Sequence, residues 1–238
     1  MGVMIIEDEE FGSMEVRSNA RIKHYGVKIL SEGKVAIMKP SRGSMMKALE
    51  FFESQRDWVR DRLERRRSKL RVFGYGVVLS TNTFDVELVR YGGEKFLGFM
   101  RRDERKLLIR CPEKEDIESE KSQSIVKSII LNAMTIEAKK VLPGWLSRLA
   151  EEHGFRYQDC RVMKMRTRWG SCSATKSIHL SSMLMILPSE LIDFVLIHEL
   201  SHTVEMNHSA RFHELVDRCL GGRERELMEK IKKYSAVL

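Results

Sequence analysis

The sequence contains no run of about 18 consecutive apolar residues, so it encodes no membrane-spanning helix. Its opening stretch, Met1 to Phe11, carries Glu7, Asp8, Glu9 and Glu10. A secretory signal starts basic and continues apolar, so this acidic leader points to a cytoplasmic protein. Cysteine is sparse: Cys111, Cys160, Cys172 and Cys219 are scattered, with no close pair of the metal-binding kind. They are expected to remain thiols. Cys172 sits between Ser171 and Ser173 without an evident base, which argues against a thiolate nucleophile. No glycine-rich phosphate loop or dinucleotide fingerprint occurs, so a nucleotide cofactor is not indicated.

What is present is charge, with a positive excess of +8 over 238 residues. Much of it is local. Between Arg56 and Arg71 stand eight basic residues against three acidic ones. Such a stretch reads as a solvated helix laced with i,i+4 ion pairs, or as a basic helix that meets nucleic acid. Trp58 is its one aromatic residue, so base stacking is not suggested.

The apolar pattern predicts strands over 20–30 and 34–38 with Ser31-Glu32-Gly33 as their turn, then a helix from Met45 to about Ser68 capped by Ser44. Further strands are expected over 77–79, 84–91, 95–100 and 106–110. Gly92-Gly93 reads as a hairpin turn, and Thr81-Asn82-Thr83 as a second turn. A helical pattern runs from about Asp116 to Glu152, interrupted at Pro143-Gly144 by a kink or a break. Strands over 155–168 and 177–185 follow, then a helix opened by Pro188. Asn207 reads as a left-handed terminator, Ser209 as a cap, and Gly221-Gly222 as the break between two last helices. No internal repeat is evident. The expected partition is 1–115, a β-rich part with one long basic helix, and 116–238, the part that carries the chemistry; the boundary near 112–116 is soft.

The chemistry is concentrated in His198-Glu199-Leu200-Ser201-His202, with His208 six residues on. Histidines four apart on a helix point to one side, because a turn takes about 3.6 residues. They can share one tetrahedral zinc, with the intervening glutamate close to the open position. His198 and His202 are the first two ligands. His208 leads as the third, at the spacing of the metzincin pattern but with Glu205 where that pattern has glycine. His213 and Glu214 are the other candidates, and Asp217 is a candidate partner for a ligand histidine. Glu199 is the expected general base. His179, Arg166, Arg168 and Tyr157 are all conceivable oxyanion stabilisers. With no clear fourth ligand, a closed structural zinc site is disfavoured.

Arg168-Trp169-Gly170-Ser171-Cys172-Ser173, Ile178 to Leu184, and Pro188 to His208 with Asn207-His208-Ser209 and Phe212 together resemble the YgjP-like metallopeptidase family, and more distantly the SprT- and Spartan-type zinc proteases. The resemblance extends upstream through 20–39 and the helix ending in Trp58-Val59-Arg60. It implies an α+β fold, a zincin-like metallopeptidase domain with a β-rich N-terminal part. It also implies one zinc per chain on His198, His202 and His208, with Glu199 as catalytic glutamate and a polypeptide substrate. The Arg168 to Cys172 segment is implied to turn into the edge strand beside the cleft, where zincins commonly take an extended substrate by strand addition. Ser181 and His213 depart from the family, which more usually has Asn and Trp there. The analogy with Spartan-type proteases also raises a DNA-linked role for the basic helix.

Overall fold

A computed structural model describes residues 2–30, 34–67, 72–165 and 167–234. The Ser31-Glu32-Gly33 turn and Arg166 lie outside them. The chain divides into two compact units, Met1–Arg71 and Val72–Leu238. This division falls well before the expected 115/116, because the strands of residues 76–112 share their core with the long helix that follows them.

In the first unit the acidic leader forms a strand. β1 (Gly2–Asp8) pairs antiparallel with β2 (Gly12–Asn19), a hairpin that the charge of the segment conceals in the sequence. Its turn is closed by Asp8 Oδ1, which accepts from the N–H groups of Glu10 at 3.0 Å and Phe11 at 2.9 Å, and by Gly12 at φ 65°. β3 (Gly26–Ile29) and β4 (Val35–Pro40) pair antiparallel as expected, and β4 runs parallel to β2. The expected single helix is two, α1 (Met45–Ser54) and α2 (Arg56–Arg67), separated at Gln55. Ser44 occupies the N-cap position without a side-chain capping bond. Met14, Val16, Val35, Ile37, Ala48, Phe52 and Val59 form the small core of this unit.

The second unit begins with β5 (Gly76–Ser80), β6 (Asp85–Tyr91), β7 (Leu97–Arg101) and β8 (Lys106–Pro112). Their order is β5-β6-β8-β7, so Gly92-Gly93 does not close a hairpin: β6 pairs in parallel with β8, and β7 adds antiparallel to the far side of β8. This matches the first sheet, ordered β1-β2-β4-β3 with the same orientations. The topology therefore repeats although no repeat is legible in the residues.

α3 (Glu120–His153) runs for 34 residues straight through Pro143. Proline forfeits one helical hydrogen bond, and here the buried row Ile130, Met134, Ala138, Leu142, Leu146 keeps the helix continuous by packing. A second, three-stranded sheet follows, with β9 (Asp159–Met163), β10 (Gly170–Cys172) and β11 (Ser177–Ser181) in the order β10-β11-β9. The expected strand over 177–185 stops at Ser181, and Ser182–Ile186 forms a 3-10 turn capped by Ser181.

That turn feeds α4 (Ser189–Ser201), with Pro188 at its N-cap. The expected turn at 81–83 also positions this entry: the Asn82 N–H donates to the Met185 carbonyl at 2.9 Å, and its side-chain amide donates to the carbonyls of Met185 and Leu187. α4 buries nine of its thirteen residues, including Leu191, Val195 and Leu200, so it is a central helix rather than an amphipathic surface one. α5 (Ala210–Cys219) and α6 (Glu224–Ile231) close the unit, separated by Gly221 and Gly222 at φ 63° and 82°.

Candidate metal centre

α4 ends where its chemistry begins. Beyond Ser201 the backbone winds through short turns, with the N–H of Thr203 on the Leu200 carbonyl and those of Val204 and Glu205 on the Ser201 carbonyl. The expected left-handed terminator at Asn207 is not used, since Arg105 and Lys176 are the positive-φ non-glycine residues among those described. The loop instead folds back through tight turns, and Ser209 caps α5 by accepting from the Phe212 N–H at 3.3 Å. A chain that reverses this soon after a helix can return a side chain to the helix end.

The returning side chain is His208. His198, His202 and His208 bring one ring nitrogen each to within 4.8 Å of one another, and the Nε2 atoms of His198 and His208 stand 3.2 Å apart. The Nδ1 of His202 lies 3.1 Å from the Glu205 carbonyl, which favours the tautomer with a proton on Nδ1 and a free lone pair on Nε2. Glu205 thus serves through its backbone at the position where the metzincin pattern has glycine. Phe212 packs against all three imidazoles, with ring centroids 4.9 Å, 4.5 Å and 4.8 Å from His198, His202 and His208. In the sequence Phe212 is one of the residues that carry the family resemblance, but nothing there assigns it this packing role.

The other candidate ligands are occupied elsewhere. His213 pairs through Nδ1 with Glu224 at 2.7 Å. Asp217 accepts from the Glu224 N–H at 3.0 Å, so it caps α6 instead of orienting a ligand histidine. Glu214 is not part of the histidine group. Ser181 accepts from the Met183 N–H at 3.2 Å and donates to the Met165 carbonyl.

Burial governs the electrostatics here. It pushes His198 down to about 4, aided by the neighbouring histidines, so that imidazole is neutral and able to donate its lone pair at neutral pH. Burial also lowers His202, against the opposing pull of the Glu205 carbonyl. Glu199, 6% exposed, is pushed up to about 7 by burial, partly offset by the charge of Arg168. Its Oε2 is buried without a hydrogen-bond partner. An orphaned buried carboxylate oxygen is costly, and it is found where a ligand or substrate completes the site. Three converging imidazoles beside such a carboxylate fit a catalytic zinc with an open position.

A family profile described as the YgjP-like metallopeptidase domain matches residues 23–233. The chain belongs to the YgjP-like metallopeptidase family. It is a zinc-dependent peptidase that acts on polypeptides, with the α+β zincin-like fold expected from its motifs. No curated protein matches the chain. Among solved structures, the metallopeptidase zymogen of Pyrococcus abyssi abylysin is similar at 22% identity and a TM-score of 0.34, covering 37% of this chain and 89% of that one. The zymogen of Methanocaldococcus jannaschii jannalysin is similar at 20% identity and a TM-score of 0.34, covering 37% of this chain and 90% of that one. No helix of the described residues is long and apolar enough to cross a membrane.

Proposed function

We propose that this family member holds its zinc on His198, His202 and His208 and uses Glu199 as general base in peptide-bond hydrolysis. The convergence of the three ring nitrogens within 4.8 Å carries this reading. When bound, the zinc supplies Lewis acidity, lowering the pKa of a coordinated water to about 7 and polarising the scissile carbonyl.

The chain's own residues do the rest. The His202 Nδ1 contact to the Glu205 carbonyl sets that ring's tautomer, and the Phe212 ring keeps all three imidazoles from rotating away. Glu199 Oε2 accepts the proton of the attacking water and returns it to the leaving amine, converting that amine into a neutral leaving group. A carboxyl raised to about 7 by burial is matched to both halves of that transfer at neutral pH. β10, at the edge of its sheet, offers backbone groups to an extended substrate, so binding is backbone-directed.

The grouping of three histidines, without a fourth donor among the described residues, supports a catalytic site over a closed structural one. Cytoplasmic residence is supported by the four cysteines, all of which are free thiols. Recruitment of nucleic acid by 56–71, the second reading, would fall to basic side chains other than Arg56 and Arg60. Arg56 is held by Asp8, Glu10 and Glu53, and Arg60 by Glu10 and Asp57, while the side chains from Glu64 onward lie outside the described residues.

The test is Glu199→Gln, which keeps the shape and removes the base. Zinc should remain at one per chain by elemental analysis. Hydrolysis of an unfolded protein substrate should fall by about a hundredfold or more. Undiminished turnover would remove Glu199 from the mechanism.

A further inference from the structure

Gly170 lies in β10, paired with Leu180 of β11, and the adjoining Ser181 N–H donates to the Trp169 carbonyl at 2.8 Å. Its backbone does not occupy the left-handed region, so glycine is not needed there for its conformation. It is needed for space. A Cβ at this position would stand 2.7 Å from Glu199 Cγ, 2.7 Å from Oε1 and 2.9 Å from Cδ. Side-chain carbons do not approach that closely, and the contact falls on the middle of the glutamate side chain as well as its tip.

We infer that Gly170 is the positioning residue for Glu199: the absent side chain in β10 is the slot that holds the glutamate in its working rotamer. The inference rests on the proposed role of Glu199 and adds what orients that side chain. Shape does the orienting, because Glu199 Oε2 has no hydrogen-bond partner to do so. β10 cannot retreat, since β11 holds it in register through Gly170 to Cys172. Glu199 is itself too buried to swing outward. A methyl group at 170 must therefore displace the Glu199 side chain, which supplies all three of its nearest heavy-atom neighbours. This gives the Trp169-Gly170-Ser171 motif a physical reason: glycine in a strand marks a close approach.

The experiment combines Gly170→Ala with two changes at 199, using the full-length zinc-loaded protein. Gly170→Ala should retain one zinc per chain and an unchanged KM for a peptide substrate, while kcat falls about a hundredfold, the cost of misplacing a reacting group by about 1 Å. Its melting temperature should fall by several degrees. The same loss should appear when Gly170→Ala is added to Glu199→Gln, which has the same shape. It should vanish when Gly170→Ala is added to Glu199→Ala, where the slot has no occupant. A loss of stability that persists in the Glu199→Ala background, or an undiminished kcat in Gly170→Ala, overturns the proposal. Should Gly170→Ala alone fail to fold, the Gly170→Ala/Glu199→Ala protein must fold and bind zinc, and its failure also overturns the proposal. The thermal comparison needs no turnover, so it decides the packing claim even if Glu199→Gln proves fully active and the general-base reading falls.

Discussion

The two four-stranded sheets share strand order and orientation, yet they serve different ends. β1-β2-β4-β3 is backed by two short helices around a core of seven buried residues, bordered by the Phe11–Phe52 ring pair and the Arg56 ion cluster. β5-β6-β8-β7 is backed by the 34-residue α3, and its core runs without a break into the three-stranded sheet, α4 and Phe212. One topology thus carries a small core in the first unit and, in the second, a core that extends to the histidine cluster. The lesson is that the attachment of a sheet's core, more than its strand order, determines whether it supports a site. The second sheet reaches α4 through continuous packing within its own unit.

Phe212→Ala should produce the largest difference between the two. It empties a fully buried ring site and frees three imidazoles at once. Stability should fall by about 3–5 kcal/mol in denaturant unfolding, and zinc affinity by about 10–100-fold in a chelator competition. An unchanged zinc affinity would separate this ring from the metal centre. Phe52→Ala is the matching change in the first unit, where the ring is 1% exposed. It should also cost about 3–5 kcal/mol in the transition of that unit, while zinc affinity stays at the wild-type value. Loss of zinc in Phe52→Ala would show that the small core is not self-contained.

The smallest effect is electrostatic. Burial raises Asp8, but the Arg56 guanidinium and the N–H groups of Phe11 and Glu10 outweigh it and hold the carboxyl below its usual range. A carboxyl whose folded pKa lies below its unfolded value stabilises the fold above the unfolded pKa and loses that contribution as pH falls through the folded one. The first unit should therefore weaken below about pH 4, and Arg56→Met should flatten that dependence in pH-resolved unfolding. A wild-type transition that is indifferent to acid would leave the Arg56 cluster without a stabilising role.

Much of the site was legible because it is local. The i,i+4 histidine pair and Glu199 follow from helical period alone, and Ser209 and the Gly221-Gly222 break follow from cap and turn chemistry. The return of His208 was expected from its spacing, although the loop reverses through tight turns and the Glu205 carbonyl instead of a left-handed Asn207. What stayed hidden was non-local. β1 runs into the acidic turn at Asp8 to Glu10, which draws attention from its apolar residues, and the parallel pairing of β6 with β8 overrides the hairpin signal of Gly92-Gly93. The Asp217 cap and the Glu224 pairing of His213 depend on α6 lying beside α5.

The sequence by itself determined the metal chemistry and most of the element types, since these are written in residues close along the chain, and the family likeness, which needs residue identities but no distances between segments. Tertiary structure decided where the unit boundary falls, why Phe212 faces all three histidines, and why residue 170 must be glycine. Those depend on distances between segments far apart in the chain, and only packing sets such distances.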